Sequence, residues 1–122
     1  DLHESLREQV AALTSMNAHW RKLAQDIIKR AADNPEEIGA CATDFLNFSS
    51  YVLLAYGWLR MALTAQKKLD EKSGDQDFYE GKLASSRFYF ERILPRAELH
   101  RQVLQTSADN LFGLTAEQFV RH

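Results

Sequence analysis

The sequence predicts an all-α fold: an up-and-down bundle of three long helices plus a short C-terminal helix, similar to a four-helix bundle. Apolar residues recur three and four positions apart along three long segments, which is the spacing of one helix face. Residues that start or stop helices bound each segment. No segment alternates apolar and polar residues in the manner of a strand.

The composition is that of one soluble domain. The chain has 122 residues, of which 45% are hydrophobic and 26% charged, so residues 1–122 are expected to share a single core. A net charge of -2 gives no positive field for phosphate backbones, and nucleic acid is not expected as a partner. The lone cysteine, Cys41, cannot form an intrachain disulfide, which fits a cytoplasmic location. The charged first residues predict no signal peptide, and the missing initiator methionine indicates a fragment of a longer polypeptide.

The first helix is predicted from about Leu2 to Ala32. Asp1, with Glu4 three residues later, resembles an N-cap with its reciprocal partner. The predicted buried stripe consists of Leu2, Leu6, Val10, Leu13, Met16, Trp20, Leu23 and Ile27.

The second helix is predicted to begin at Asn34 and Pro35 and to end near Lys72, with Ser73 and Gly74 closing it. Between residues 51 and 63 only Arg60 is charged, and the helix is apolar all round. This run is shorter than the roughly 20 apolar residues of a membrane span, so none is expected. Either the helix is central and buried on every side, or one face is covered by something outside this chain. Its predicted stripe is Ile38, Cys41, Phe45, Phe48, Val52, Ala55, Leu59, Ala62 and Leu69.

The third helix is predicted to start near Asp75. Pro95 lacks an N–H and clashes with the preceding turn, which predicts a kink or break close to Leu94. The helix should then continue to about Gln105. One face is predicted to carry Tyr79, Leu83, Phe90, Ile93 and Ala97, followed by Leu99, Val103 and Leu104. Near the end of the chain, Thr115 and Gln118 resemble a capping box ahead of a short closing helix that ends between residues 119 and 122.

No catalytic, cofactor or metal site is predicted. None of the four histidines follows a glutamate by three residues, as the metal ligands of di-metal bundles do. The five glycines are too isolated for a phosphate-binding loop. Cys41 is interpreted as a small buried thiol in preference to a nucleophile. Arg60 and Arg87 interrupt aromatic stretches and either grip an anionic group or, as the preferred interpretation, extend to the surface or pair with a nearby carboxylate.

Two blocks carry a resemblance to a known family. The segments NPEEIGACATDFLNFSSYVLLAYGWLRMAL and FYEGKLASSRFYFERILP, separated by a short charged connector, resemble the C-terminal-like domain of bacterial FAD-dependent acyl-CoA dehydrogenases. The resemblance covers about Ala32 to Leu99 and implies a helical accessory domain that follows the catalytic core. In that family a glutamate base and FAD remove hydrogen from the α and β carbons of an acyl-CoA thioester. No position here matches the catalytic glutamate or the flavin-binding segments, so this fragment is expected to be inactive by itself, with FAD held elsewhere in the parent enzyme.

The resemblance and the many aromatic rings together predict an interface. Rings give a large contact area with few rotatable bonds, so one side of the third helix should face the second helix, and another should meet the dehydrogenase body or a second subunit. The expected roles are interdomain docking, oligomer contacts or shaping of the substrate entrance, and the isolated domain should self-associate. The alternative is a free-standing helical protein-interaction module. The candidate interface residues are Tyr51, Tyr56, Trp58, Arg60, Phe78, Tyr79, Lys82, Arg87, Phe88, Tyr89 and Phe90.

Overall fold

The computed structural model of the protein describes residues 2–120. No strand occurs among these residues, which confirms the all-α prediction. The predicted cap at Asp1 lies outside the described residues. In chain order the helices are α1 (Leu2–Asp33), α2 (Glu36–Asp70), α3 (Gln76–Phe88), α4 (Ala97–Val103), α5 (Asp109–Phe112) and α6 (Ala116–Val120), with a π-helical turn (Tyr89–Ile93) and a 3-10 turn (Leu94–Arg96) between α3 and α4.

The core lies along one side of α2. This helix packs against α1 and against α3 and α4, while α1 and α3 meet more briefly. Phe48 is fully buried at the centre of the core, and Val52 and Ala55 continue the buried side one and two turns later. The fully buried alanines of α2 allow close approach of the neighbouring helices.

Buried polar contacts displace two residues from the predicted stripes of α1 and α2. Val10 is 44% exposed because Gln9 takes the inward position and accepts a 2.6 Å hydrogen bond from the Ser86 hydroxyl on α3. Ile38 is 58% exposed because Glu37 turns inward instead and accepts a hydrogen bond from the Ala108 amide. The predicted inward positions of Val10 and Ile38 were therefore wrong, since a hydrophobic pattern cannot register a buried polar partner.

The start of α2 agrees with the sequence, whereas its end differs. The Asn34 carboxamide oxygen accepts a 3.2 Å hydrogen bond from the Glu36 amide, and Pro35 already has helical torsions. At the other end the amide of Ser73 donates to the Lys68 carbonyl, and the amide of Lys72 donates to the Leu69 carbonyl. Lys72 itself holds the left-handed conformation, with φ of 52°. The first left-handed residue after α2 is thus Lys72, and the predicted Gly74 is also left-handed, with φ of 75°.

Substituting Lys72 with glycine is expected to stabilise the protein by about 1 kcal/mol. A side chain in the left-handed region costs roughly 1–2 kcal/mol, and glycine avoids this cost. Part of the resulting gain in stability is offset because glycine has greater conformational freedom in the unfolded chain. Urea unfolding followed by circular dichroism measures the change. The matched control is Lys67→Gly inside α2, which should instead destabilise by about 1 kcal/mol. If both variants lose stability, the left-handed strain at Lys72 is refuted.

The third helical segment breaks at the proline, as predicted. Asp75 caps α3 by accepting a hydrogen bond from the Phe78 amide. Ahead of Pro95 the backbone widens into the π-helical turn, in which the Leu94 amide donates to the Tyr89 carbonyl, and then tightens into the 3-10 turn. Leu94 is buried, as is Ala97 beyond the proline.

Beyond the break only part of the predicted apolar face is buried. Leu104 is buried, but Leu99 and Val103 are 64% and 44% exposed, and their predicted burial was wrong. The His100 side chain of this helix is turned toward α2 instead, and its Nδ1 lies 2.9 Å from an Asp44 carboxylate oxygen.

The segment after α4 is anchored through one buried carboxylate. Glu37 accepts a 3.0 Å hydrogen bond from the Ala108 amide, and Arg30 donates a 2.8 Å hydrogen bond to the Leu104 carbonyl. Arg30 Nε lies 3.4 Å from Glu37 Oε2 without hydrogen-bond geometry. This network joins α1, α2 and the loop after α4.

The predicted capping box is confirmed. Thr115 Oγ1 accepts from the Gln118 amide, while the Gln118 side chain accepts from the Thr115 amide. The short helix α5, which was not predicted, precedes it, and every residue from 109 to 120 is exposed.

Candidate functional site: the open face of α2 and its seam with α3

The face of α2 opposite the core is aliphatic and exposed. Residues three, four and seven positions apart share one helix face, and this face carries Leu46, Leu53, Leu54 and Met61, which are 67%, 58%, 54% and 40% exposed. Small residues, Ser50 and Gly57, lie between them. We call this set the open face. Its exposure excludes the hypothesis that α2 is buried on every side and leaves the one in which something outside this chain covers it.

Cations lie over aromatic rings at the seam between α2 and α3. Lys82 Nζ is 5.2 Å from the centre of the Phe78 ring and 6.0 Å from that of Trp58. The Arg60 guanidinium lies 5.7 Å from the centre of the Tyr56 ring. These distances are within the range of cation–π attraction, which holds each cation against apolar surface.

A shallow apolar hollow of about 340 Å³ lies between the two cations. Its lining contains no carboxylate and consists of Arg60, Met61, Thr64, Ala65, Phe78, Tyr79 and Lys82. Met61 belongs both to the hollow and to the open face, so the two surfaces are continuous. We call the hollow and its two cations the seam.

The predicted interface residues separate into inner and outer sets. Tyr89 is buried, and its hydroxyl donates a 2.6 Å hydrogen bond to the Tyr51 carbonyl. The Tyr51 ring in turn stacks on His100 with a centroid distance of 5.9 Å. The partly buried rings that pack against the core are those of Tyr51, Trp58, Tyr79 and Phe90. The outer set consists of Tyr56, Arg60, Phe78, Arg87 and Phe88, which are exposed, and Lys82, which is half-buried.

The two arginines singled out from the sequence have different surroundings. Arg87 donates a 2.8 Å hydrogen bond to the Glu91 carboxylate one turn later, which agrees with the preferred interpretation of a surface ion pair. Arg60 forms no ion pair with any of the described side chains, those of residues 4 to 120. Of these two arginines, only Arg60 is therefore available to form an ion pair with a carboxylate outside this domain.

Replacing Tyr89 with phenylalanine is expected to remove part of the alkaline sensitivity of the fold. Burial, with a smaller contribution from Tyr51, raises the pKa of Tyr89 to about 12. Because the Tyr89 hydroxyl loses its proton less readily in the folded state than in the unfolded state, its contribution to stability is complete below the unfolded tyrosine pKa of about 10. That contribution is lost as the pH rises through the folded pKa. Urea unfolding at pH 8 and pH 11 should show a smaller loss of stability for Tyr89→Phe than for the parent chain. Tyr56→Phe, at an exposed ring, is the control, and equal losses in all three proteins would contradict the assignment.

Cys41 is a buried thiol. Its Sγ lies 3.3 Å from the Ile38 carbonyl, to which it donates a hydrogen bond. Burial raises the pKa of the thiol, against the opposing effect of Arg30. A raised pKa disfavours the thiolate that nucleophilic chemistry requires, so this environment agrees with the interpretation of Cys41 as a small buried thiol.

One groove of the bundle does not suit a flavin nucleotide. It measures about 630 Å³ and lies between the start of α1 and the end of α2. Arg7 and Lys67 on its walls are accompanied by Asp70 and Glu71, so the charges are mixed where the diphosphate of FAD would need donors. Among the side chains described, those of residues 4–120, no group of three or more histidine, cysteine, aspartate or glutamate residues is arranged to hold a metal ion.

Two exposed apolar sets were absent from the predicted interface. The first is the open face, although the apolar run from residue 51 to 63, in which only Arg60 is charged, had indicated an excess of apolar surface on this helix. The second lies on the terminal segment and comprises Leu111, Phe112, Leu114, Phe119 and Val120, all at least 60% exposed. By length and composition α2 could also cross a membrane, a test that core helices of soluble proteins pass as well.

The fold and the open face define a helical bundle domain with an exposed apolar surface. Comparison with known proteins gives its family. The family model described as "Acetyl-CoA dehydrogenase C-terminal like" matches residues 1–115, and the chain belongs to this family. It is also similar to a butyryl-CoA dehydrogenase of Syntrophomonas wolfei subsp. wolfei, with 37% identity over 67 residues. That match covers 52% of this chain and 11% of the relative, so the chain spans only about a tenth of the relative's length.

Proposed function

We propose that this chain is a non-catalytic domain that docks onto the catalytic core of an acyl-CoA dehydrogenase through the open face of α2. The parent enzyme would oxidise acyl-CoA thioesters between the α and β carbons, with FAD bound by its preceding domains. A cytoplasmic location and a homo-oligomeric parent enzyme belong to the same proposal. Support comes from the family and from the similarity to a butyryl-CoA dehydrogenase, most of whose length lies outside the matched segment.

The open face is the observation that carries the proposal. Each Å² of aliphatic surface that a partner covers contributes roughly 25 cal/mol to docking. Leu53 and Leu54 are both more than half exposed in the middle of a helix whose opposite side is fully buried. A partner that covers the open face would bury these side chains.

The size of the face favours a tethered partner. From Leu46 to Met61 it extends roughly 22 Å and is about 10 Å wide, the dimensions of one helix surface. That area is well below the roughly 800 Å² that each partner contributes to a standard interface between separate proteins. A domain joined to the core by its own polypeptide docks at a high effective concentration, so a small interface suffices. This argument favours interdomain docking over the free-standing module.

Oxidative footprinting of the two methionines tests the proposal. Hydroxyl-radical oxidation of Met61 is compared between the parent enzyme and the isolated 122-residue chain, diluted until that chain is monomeric, and it should be severalfold slower in the parent enzyme. Met16, which packs against the core of this domain, is the internal control and should react equally in both. Equal oxidation of Met61 in the two proteins would refute docking through the open face.

A substitution gives an independent check. Leu53→Glu should change the stability of the isolated chain by less than about 0.5 kcal/mol, because the side chain is exposed. In the parent enzyme it should restore Met61 oxidation toward the rate in the isolated chain. Ile28→Glu, at an exposed aliphatic residue on α1, should leave the protection of Met61 intact.

A further inference from the structure

We propose that the seam recognises carboxylates on the catalytic core, so that Arg60 and Lys82 fix where the open face docks. This inference rests on the proposed function and names the chemistry of the partner surface. It commits to one occupant: an acidic, partly aliphatic surface of the same polypeptide.

The two cations carry unused charge. Neither Arg60 nor Lys82 lies within 4.0 Å of a carboxylate among the described residues, and no carboxylate lines the hollow between them. The rings of Tyr56, Phe78 and Trp58 hold the charged groups against the surface of the domain. A cation that is already partly desolvated and oriented loses less on binding an anion than a freely mobile side chain does.

The surroundings of the hollow define the rest of the partner. Met61, Ala65 and Phe78 form its apolar wall, and the open face continues from it. A free inorganic anion would satisfy the cations but leave this wall in water. A protein surface with aspartate or glutamate next to aliphatic side chains satisfies both.

The α2 helix of a second copy of this chain does not provide carboxylates for Arg60 and Lys82. Between Ile38 and Thr64 the only carboxylate is Asp44, and it is paired with His100. Two open faces packed against each other, in either orientation, would therefore leave Arg60 without an anionic partner, and a parallel pair aligned in register would bring two arginines together. We therefore place the acidic partner surface on another part of the parent polypeptide, and the butyryl-CoA dehydrogenase relative is long enough to contain such a surface.

Zero-length cross-linking in the parent enzyme tests the inference directly. A water-soluble carbodiimide joins a lysine amine to a carboxylate only at ion-pair distance, and mass mapping of the peptides identifies both partners. We expect Lys82 to link to an aspartate or glutamate of the catalytic core, with the link absent in Lys82→Arg. Links from Lys82 only to residues of this domain, or to a second copy of it, would overturn the proposal.

Charge reversal separates this inference from the docking proposal. The double variant Arg60→Glu with Lys82→Glu should weaken docking by about tenfold or more, because like charges face each other across the interface. The readout is Met61 oxidation in the parent enzyme, which should rise in the double variant and also when salt is added to the unmodified enzyme. Arg21→Glu, an exposed charge on α1, is the matched control and should have no effect.

The outcomes are distinct for the two proposals. If Met61 is protected in the parent enzyme but is insensitive to the double reversal and to salt, docking stands and the role of the seam is refuted. If Met61 is not protected at all, the docking proposal fails, and this inference fails with it. Circular dichroism of each variant confirms that the helices are retained, so a loss of docking is not caused by unfolding.

Discussion

Phe48→Ala is expected to lower the free energy of unfolding by about 4 kcal/mol, the largest effect of any single substitution considered. Phe48 is 0% exposed on α2, the helix that packs against α1, α3 and α4. Truncation removes the transfer energy of the ring and leaves a cavity, and such changes cost about 3–5 kcal/mol in well-packed cores. Long helices on both sides of the site limit how far the cavity can close.

The measurement is urea unfolding with a matched aromatic control. Phe88 is 59% exposed on α3, so Phe88→Ala should change stability by less than about 0.5 kcal/mol. The two variants remove the same atoms, and only the burial differs. A decrease of less than about 1.5 kcal/mol in the free energy of unfolding for Phe48→Ala would show that neighbouring side chains move to fill the cavity. The core around Phe48 would then be loosely packed.

Replacing Glu37 with alanine is expected to cost about 3 kcal/mol. The carboxylate is 5% exposed, accepts the hydrogen bond of the buried Ala108 amide and faces Arg30. Its removal leaves that amide unpaired and leaves a partly buried cation without its counterion. Breaking one side of a buried ion pair costs about 3–5 kcal/mol, and the partial exposure of Arg30 places the expected value at the lower end. Glu37→Gln retains an acceptor but no charge, so its loss should be intermediate.

Hydrogen exchange identifies the cause of the loss at Glu37. The Ala108 amide should exchange much faster in Glu37→Ala, at denaturant concentrations at which the centre of α2 is still protected. Glu36→Ala, at the exposed neighbouring carboxylate, should leave both the stability and the Ala108 exchange rate nearly unchanged. If the two alanine variants behave alike, the anchoring role of Glu37 is wrong.

The sequence predicted those parts of the fold that local rules determine. The spacing of Leu6, Leu13 and Ile27 gave the buried side of α1, since nothing competes for those positions. Pro95 predicted the break because a missing N–H has the same consequence in any helix. Thr115 and Gln118 predicted their own hydrogen bonds because a capping box involves only neighbouring residues.

The errors in the predicted buried faces share one physical cause. Val10 and Ile38 were placed in the core by their hydrophobicity, yet Gln9 and Glu37 occupy the inward positions. Each of these polar groups has a partner more than 70 residues away in the chain, at Ser86 or Ala108. Periodicity in a single sequence carries no information about such pairs, so it assigns the nearest apolar neighbour. His100, which displaced Leu99 and Val103, is a third case.

For the candidate site, the sequence indicated the surplus of apolar surface and left its location undecided. An uncharged run in α2 is compatible with a fully buried helix or with a helix that is half open, and only the positions of α1 and α3 distinguish these. The predicted interface residues were aromatic or charged side chains on α2, α3 and the π-helical turn, whereas the open face of α2 is aliphatic. Aromatic side chains such as Tyr89 were needed inside the domain, where its hydroxyl bonds to the Tyr51 carbonyl.

Ala108 marks the last fully buried side chain of the described chain, and every residue from 109 to 120 is exposed. A protein shortened to residues 1–108 would therefore keep each interior contact, and its melting temperature should match that of the 122-residue form. The twelve exposed positions from 109 to 120 are free to be labelled, exchanged or joined to a reporter without disturbing the three long helices. They provide a handle for following the domain inside a much larger enzyme.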